Sequence, residues 1–157
     1  GGSNRYWLSR SMPVKDSVLN KLEEEKLIGL FDSQKWSTFA KNSKNIIKNT
    51  SEWLQERNKL GDTVVAYGAA HKGNTFLNSI GELSRVLKYV VDGSLEKQGK
   101  FLPGSQLPVL APNQLASCDP SDVLILPWNI ADELANHIRV LAPNARIWVA
   151  QPKMRQI

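Results

Sequence analysis

The chain contains one cysteine, two histidines and no long apolar run. A single thiol, Cys118, excludes a disulfide framework and a cysteine-based metal site, and it fits a reducing compartment. His71 and His137 do not form a metal-ligand cluster with it. No segment approaches the roughly 18 apolar residues that a membrane-spanning helix needs. We therefore predict a cytoplasmic protein without a metal site and without a membrane partner.

The composition is that of an ordinary globular domain. The 157 residues are 41% hydrophobic and 22% charged, which is enough for one domain with a real core. The net charge of +5 is mostly N-terminal, with 11 Lys/Arg against 7 Asp/Glu in residues 1–61. These lysines alternate with glutamates, as on a solvated helix face, so nucleic acid is not the expected partner. The start, Gly1-Gly2-Ser3, resembles a cloning remnant.

Residues 4–61 are predicted to be helical. One helix is expected over 14–31 and a longer one over 34–60, with Asp32 or Ser33 as its N-cap. Apolar residues from Trp36 to Leu54 recur at spacings of three and four and form a stripe along the longer helix. We expect this stripe to pack on the following sheet, although part of it could instead be an exposed surface between domains.

Residues 62–157 change to short apolar runs separated by helical segments. The expected strands are 63–67, 86–91, 107–110, 123–126 and 147–150, with helices over 72–80, 112–116 and 129–141. Continuous apolar strands alternating with helices are typical of a parallel sheet that is covered on both faces. The prediction is an α/β fold, a Rossmann-like three-layer sandwich with a mostly parallel sheet, preceded by the N-terminal helices.

The turn from Gly68 to Gly73 is the first candidate site. It follows an apolar strand and opens a helix, so it could present free N–H groups and Lys72 to a phosphate. It is neither a G-x-G-x-x-G fingerprint, because Ala70 stands at the second glycine position, nor a Walker A loop. The alternative is that Lys72 is solvated and that the small residues allow close packing of the helix on the strand.

Other strand ends add candidates around this turn. Asp92 ends the second strand, where an acidic residue could bind a ribose hydroxyl or simply form a turn. Lys97 and Lys100 could flank a phosphate or keep the long 93–106 loop soluble. Phe101 and Trp128 could stack on a ring or close off the core. Asn129 is expected to cap the following helix.

Catalytic candidates are few. His71 lies in the turn, where an imidazole could act as an acid or a base, but no carboxylate or nucleophile is spaced to orient it. We expect it to position a ligand or to face solvent. His137 is expected on a helix surface. Neither a serine–histidine triad nor a carboxylate pair is recognisable from spacing.

Four ordered blocks of sequence resemble one known family. They are Tyr67–Thr75 (YGAAHKGNT), Tyr89–Asp92 (YVVD), Glu96–Gly104 (EKQGKFLPG) and Leu124–Glu133 (LILPWNIADE). Over about residues 62–150 the chain resembles the C-terminal domain of SAM-dependent sugar C-methyltransferases. His71 stands where many relatives are expected to have a small residue.

The resemblance implies a function and partners. It implies a Rossmann-like domain that binds a nucleotide-linked sugar and orients it for methyl transfer to carbon by a separate SAM-binding methyltransferase domain, acting in cis or in trans. SAM and zinc would belong to other domains of the parent protein, so no cofactor is expected in this chain, and the domain alone is not expected to be active. The candidate substrate-binding residues are Gly68, His71, Lys72, Gly73, Thr75, Asp92, Lys97, Lys100, Phe101, Trp128 and Asn129.

Two alternatives stay open at this point. One is a noncatalytic Rossmann-like interaction module, which an exposed stripe from Trp36 to Leu54 together with a blocked pocket at Gly68 would favour. The other is an NAD-binding oxidoreductase domain, which the missing second glycine and the lack of a substrate domain disfavour.

Overall fold

A computed structural model describes residues 5–157 of the chain. The prediction for Gly1–Ser3 lies outside the described residues. The helices are α1 (Asp16–Leu27), α2 (Ser33–Lys59), α3 (His71–Ile80), α4 (Gln114–Cys118) and α5 (Ala131–Leu141). The strands are β1 (Val64–Tyr67), β2 (Val90–Val91), β3 (Val109–Leu110), β4 (Asp122–Ile125), β5 (Arg146–Val149) and β6 (Arg155–Gln156).

The six strands form one mostly parallel sheet in the order β3-β2-β1-β4-β5-β6. All neighbouring pairs from β3 to β5 are parallel, and β6 pairs antiparallel with β5. The chain moves outward from β1 to β3 and then returns to the other side of β1 for β4. This order is that of a doubly wound nucleotide-binding sheet, and it confirms the predicted Rossmann-like α/β fold. The edge strand β6 was not predicted.

Helices cover both faces of the sheet. On one face, Trp53 and Leu54 of α2 and Leu77 of α3 pack with strand residues such as Val64 and Leu124. On the other face, Leu115 of α4 and Ile138 of α5 pack with the alternate strand residues. All four residues of β1 and all four of β4 are buried, as expected for central strands between two helical layers. Because β1 and β2 are parallel neighbours, their carboxyl ends lie side by side at the same end of the sheet.

The chain divides into two compact units, one up to Ser43 and the other from Lys44 to Ile157. Helix α2 begins in the first unit and ends in the second, and its buried residues all lie between Thr50 and Arg57. Trp36 and Phe39, near its start, are exposed. The predicted apolar stripe is therefore partly core and partly surface. Asp32 accepts a hydrogen bond from the Gln34 N–H at 2.8 Å, so the expected cap of α2 is present.

Several strand and helix bounds differ from the sequence prediction. Residues 81–86 form a 3₁₀-helix, so β2 begins only at Val90 and not at residue 86. Strand β3 is limited to Val109–Leu110. The expectation that Asn129 caps α5 is wrong, because Trp128–Ile130 form a 3₁₀ turn and α5 follows Ile130 without a side-chain cap. Short 3₁₀ turns of this kind are common before α-helices.

A network of charges ties together the amino ends of β1, β4 and β5, which we call the amino-end edge. The fully buried Asp122 accepts hydrogen bonds from Arg146 Nε at 2.8 Å, Arg146 Nη2 at 2.7 Å and Trp148 Nε1 at 2.7 Å. Arg146 Nη2 also lies 2.7 Å from Asp62 Oδ2, and the same oxygen accepts a hydrogen bond from Arg57 Nη1 at 3.2 Å. The hydrogen bond to Asp122 raises the pKa of the Arg146 guanidinium. Both carboxylates of the network, Asp62 and Asp122, are therefore paired with a guanidinium group.

Candidate functional site

A cleft of about 490 Å³ opens at the carboxyl ends of β1 and β2. Its walls are the start of α3 on one side and the loop between β2 and β3 on the other. The size suits a small-molecule ligand, and the position is the one at which open α/β sheets bind ligands. The lining residues are Ala69, Ala70, His71, Asn74, Glu96, Lys97, Lys100, Phe101, Leu102, Pro103 and Val109.

Two glycines shape the turn that leads into the cleft. Gly68 has a φ of +98°, and a Cβ placed there would lie 2.5 Å from the ring carbons of Pro127. A Cβ at Gly73 would lie 2.7 Å from the Leu126 Cβ, so the glycine lets α3 approach the end of β4. These two predicted site residues therefore set the backbone of the turn by close packing. Pro127, which follows β4, packs against Gly68 at the end of β1, and the cleft is lined by the α3 start and the β2–β3 loop.

The start of α3 presents unpaired backbone donors. Ala70 occupies the N-cap position, and its side chain supplies no cap. Within residues 5–157, the N–H groups of residues 70–73 have no hydrogen-bond acceptor, and Asn74 N–H is the first to bond back, to the Ala70 carbonyl at 3.0 Å. The first turn of α3 also lacks an acidic side chain. Free N–H groups and the helix dipole make this end electropositive, as anion-binding helix starts are.

Asp92 links the turn to the opposite wall of the cleft. Its Oδ2 accepts the Ala69 N–H at 2.6 Å and Lys97 Nζ at 3.2 Å, while Oδ1 accepts the Ser94 N–H at 2.8 Å. The Asp92 carbonyl accepts Gln98 Nε2 at 2.9 Å. In this structure the carboxylate thus holds the β2–β3 loop against the start of α3. The predicted contact of Asp92 with a ribose hydroxyl stays a prediction.

The charged side chains of the cleft have different partners. Lys97 pairs with Asp92, and its charge is thereby largely compensated. Lys100 forms no ion pair within the described residues, so its charge is available to a ligand. Glu96 is the acidic residue of the lining. Lys100 and the first residues of the α3 start, Ala70 and His71, line the same cleft, which favours an anionic group there.

Phe101 supplies an exposed aromatic ring. Its side chain is 67% exposed although it lines the cleft, whereas the next residue, Leu102, is buried. A bridge between Phe101 and Pro108 and a hydrogen bond from the Leu102 N–H to the Leu107 carbonyl hold this part of the loop. A fixed, solvent-facing ring beside an electropositive turn can stack on a planar or sugar ring.

The cleft lining includes four of the predicted side chains and lacks five others. His71, Lys97, Lys100 and Phe101 line it. The predicted side chains absent from the lining are Lys72, Thr75, Asp92, Trp128 and Asn129. Lys72 and Thr75 follow His71 on α3 by one and four residues, and 3.6 residues per turn places Lys72 off the cleft-facing side. Trp128 and Asn129 follow Pro127, beyond the turn.

Among the lining residues that the sequence prediction missed, two are polar, Asn74 and Glu96. Asn74 lies one turn after His71 on α3, and its Oδ1 is buried without a hydrogen-bond partner within the described residues. The i, i+3 spacing from His71 could have indicated it. Glu96 lies in the resembling block Glu96–Gly104, but its carboxylate does not match the positive charge that a phosphate site favours.

The described residues hold no cluster of potential metal ligands. Within residues 5–157, no three His, Cys, Asp or Glu side chains come together as a potential metal site. The side chain of His71 lines the cleft and has no hydrogen-bond partner within this range. Elsewhere, His137 Nδ1 lies 2.9 Å from the Tyr67 hydroxyl, and burial together with the Asp92 charge raises the pKa of Tyr67.

Comparisons with known proteins agree on one family. The sequence profile of the C-methyltransferase C-terminal domain matches residues 1–152, so the match includes the N-terminal helices as well as strands β1 to β5. A curated relative, the C-methyltransferase NovU of Streptomyces niveus, is 31% identical over 145 residues. That match covers 92% of this chain and 34% of the relative, so the chain spans about a third of the relative's length. Among the described residues, no helix has the length and apolar character to cross a bilayer.

Proposed function

Because the chain belongs to the family of C-methyltransferase C-terminal domains, we propose that it binds a nucleotide-linked sugar in the cleft and orients it for methylation on carbon. The methyl group would come from SAM bound in a separate methyltransferase domain of the same or another polypeptide. The SAM donor and the zinc of the parent protein would lie outside this chain. The role of the domain is thus positioning, which lowers the entropic part of the barrier.

The observation that supports this proposal is the composition of the cleft. It combines unpaired N–H groups at the start of α3, the unpaired charge of Lys100 and the exposed ring of Phe101. A diphosphate would accept hydrogen bonds from the N–H groups and would pair with Lys100. A base or sugar ring would lie against Phe101. Asp92 would act indirectly, by keeping the loop and the turn at a fixed separation.

Lys100 provides the direct test. We expect the chain to bind thymidine or uridine diphosphate, and Lys100→Ala to weaken binding about fivefold, which corresponds to the ~1 kcal/mol of an exposed ion pair. Isothermal titration calorimetry at low ionic strength measures the change, because added salt screens such a pair.

Lys72→Ala is the matched control, since it removes the same charge from α3 at a position outside the cleft lining. We expect an affinity within twofold of the parent chain. Absence of binding at millimolar nucleoside diphosphate, or equal effects of the two substitutions, would refute this cleft as the site. Tighter binding of a nicotinamide dinucleotide than of a nucleotide sugar would instead favour an oxidoreductase domain.

A further inference from the structure

Residues 6–39 expose an unusual amount of apolar side chain. Of the nineteen exposed large apolar residues of the described chain, fourteen lie in this stretch. They include Tyr6, Trp7, Val18, Leu22, Trp36 and Phe39, which we name the N-terminal apolar surface. Single exposed apolar residues are ordinary on a protein surface, but a concentration of this kind in one unit indicates an interaction site.

Helix α1 depends on something outside itself for stability. Its 12 residues, Asp16–Leu27, include no buried residue. Val18 and Leu22 are four residues apart and therefore lie on one face of the helix. An isolated helix of this length is marginal in water, because tertiary packing of an apolar face normally supplies most of its stability. A persistent α1 therefore implies a surface that covers this face.

The start of α2 adds aromatic anchors. Trp36 and Phe39 pack edge to face with ring centroids 6.1 Å apart, and they are 53% and 63% exposed. Tryptophan is enriched among the residues that dominate binding at protein interfaces. Further along the same helix, Trp53 and Leu54 are buried in the core. The apolar residues in the first turns of α2 are thus exposed, as in a binding surface, whereas those in its later turns are buried in the core.

The family relationship indicates the occupant. The domain is by definition a C-terminal one, and the match leaves about two thirds of the NovU relative unmatched, so that length precedes the domain. In such a protein, residues 5–43 follow the preceding domain directly in sequence. We propose that the N-terminal apolar surface is the docking face for the methyltransferase domain that precedes it, an inference that rests on the proposed function. Docking there would hold the two domains in a fixed relative orientation during methyl transfer.

Hydrogen–deuterium exchange of α1 tests the proposal. The chain is measured alone and joined to the part of the Streptomyces niveus relative that precedes the match, without nucleotide in either sample. We expect the α1 amides to exchange at least tenfold more slowly in the joined protein, because docking removes local opening. Trp36→Ser with Phe39→Ser should abolish this gain. Val140→Ser, at an exposed apolar residue of α5, should leave it unchanged.

Three results would overturn the proposal. The first is strong α1 protection in the chain alone at every concentration, which would show that no partner is needed. The second is protection that rises with the concentration of the chain alone, which would assign the surface to a second copy. The third is no gain in a joined protein whose β1 and β4 amides stay protected. If the joined protein does not fold, the preceding part is added in trans to the labelled chain and judged by the same criterion. Since nucleotide is absent, failure here is independent of failure of the cleft.

Discussion

The polar groups at the two ends of the parallel strands differ in whether they are paired. We compare the amino-end edge with the carboxyl-end edge, which is formed by the turn after β1, the start of α3 and the β2–β3 loop. At the amino-end edge, Asp122, Arg146 and Asp62 satisfy one another within 2.7 to 2.8 Å. At the carboxyl-end edge, the N–H groups that open α3 have no acceptor within the described residues, and Lys100 has no carboxylate. Both edges belong to the same parallel strands, so the fold alone does not dictate the difference.

The difference separates groups that stabilise the fold from groups left for a ligand. A cavity of about 410 Å³ also lies at the amino-end edge, but the guanidinium of Arg146 that lines it already pairs with two carboxylates. At the carboxyl-end edge, water or a ligand must satisfy the donors, because no acceptor lies among residues 5–157. Removing a polar side chain should therefore affect stability at the amino-end edge and recognition at the carboxyl-end edge.

Asp122→Ala should have the largest effect and should act on stability alone. It removes the acceptor of Trp148 Nε1 and the fully buried partner of Arg146, so we expect the free energy of unfolding to fall by about 3 kcal/mol. Urea denaturation followed by tryptophan fluorescence measures this change. Nucleoside diphosphate affinity of the folded fraction should not change.

Glu82→Ala is the control for Asp122→Ala, because its carboxylate is 83% exposed and pairs only with Arg85 on the surface. Its effect should stay below about 0.5 kcal/mol. A loss of nucleotide affinity in the folded Asp122→Ala variant would contradict the hypothesis that the amino-end edge contributes to stability alone.

Gly68→Ala should have the next largest effect and should act on both properties. The new Cβ would meet the Pro127 ring at 2.5 Å on a backbone with φ of +98°, which should cost about 2 kcal/mol. The turn must shift to relieve the contact, so nucleotide binding should weaken as well. Chemical denaturation and calorimetric titration of the same sample measure both.

Gly93→Ala is the matched control, since a Cβ there meets no atom within 4 Å and its φ is not in the left-handed region. It should leave stability and affinity unchanged. If Gly68→Ala were equally silent, the packing of Pro127 on the turn would not shape the site.

Much of the fold could be predicted from the sequence, because the signals were local. The apolar run at Val64 and the stripe ending at Leu54 each identify a buried element by its own residues. Strand β2 was predicted too long because Val86 and Leu87 extend the apolar run towards the N-terminus, whereas Val86 ends a 3₁₀-helix and only Val90–Val91 pair in the sheet. Strand β6 was missed because its pairing with β5 is a tertiary contact made by two exposed residues.

The candidate site was only partly predictable. The order of the strands along the chain indicates which loops meet at the carboxyl ends, but it does not indicate between which of these loops a cleft forms. Sequence reasoning placed Gly68, Asp92 and Trp128 around one crevice. In the structure Pro127 packs on Gly68, so the open cleft lies between α3 and the β2–β3 loop, away from Trp128. The role of Asp92 as a clamp depends on the folded position of Ala69, 23 residues earlier, and no local pattern encodes that contact.

Phe101→Ala should have the smallest effect and should act on binding alone. The ring is two-thirds exposed, so its loss removes little buried surface and stability should change by less than about 0.5 kcal/mol. If the ring stacks on the ligand, affinity for a nucleoside diphosphate should fall about fivefold, which corresponds to ~1 kcal/mol. Leu95→Ala is the control, because Leu95 is an exposed apolar residue of the same loop that does not line the cleft. Equal losses from the two variants would mean that the loop contributes general apolar contact, and the carboxyl-end edge would then bind its ligand through the α3 donors and Lys100 alone.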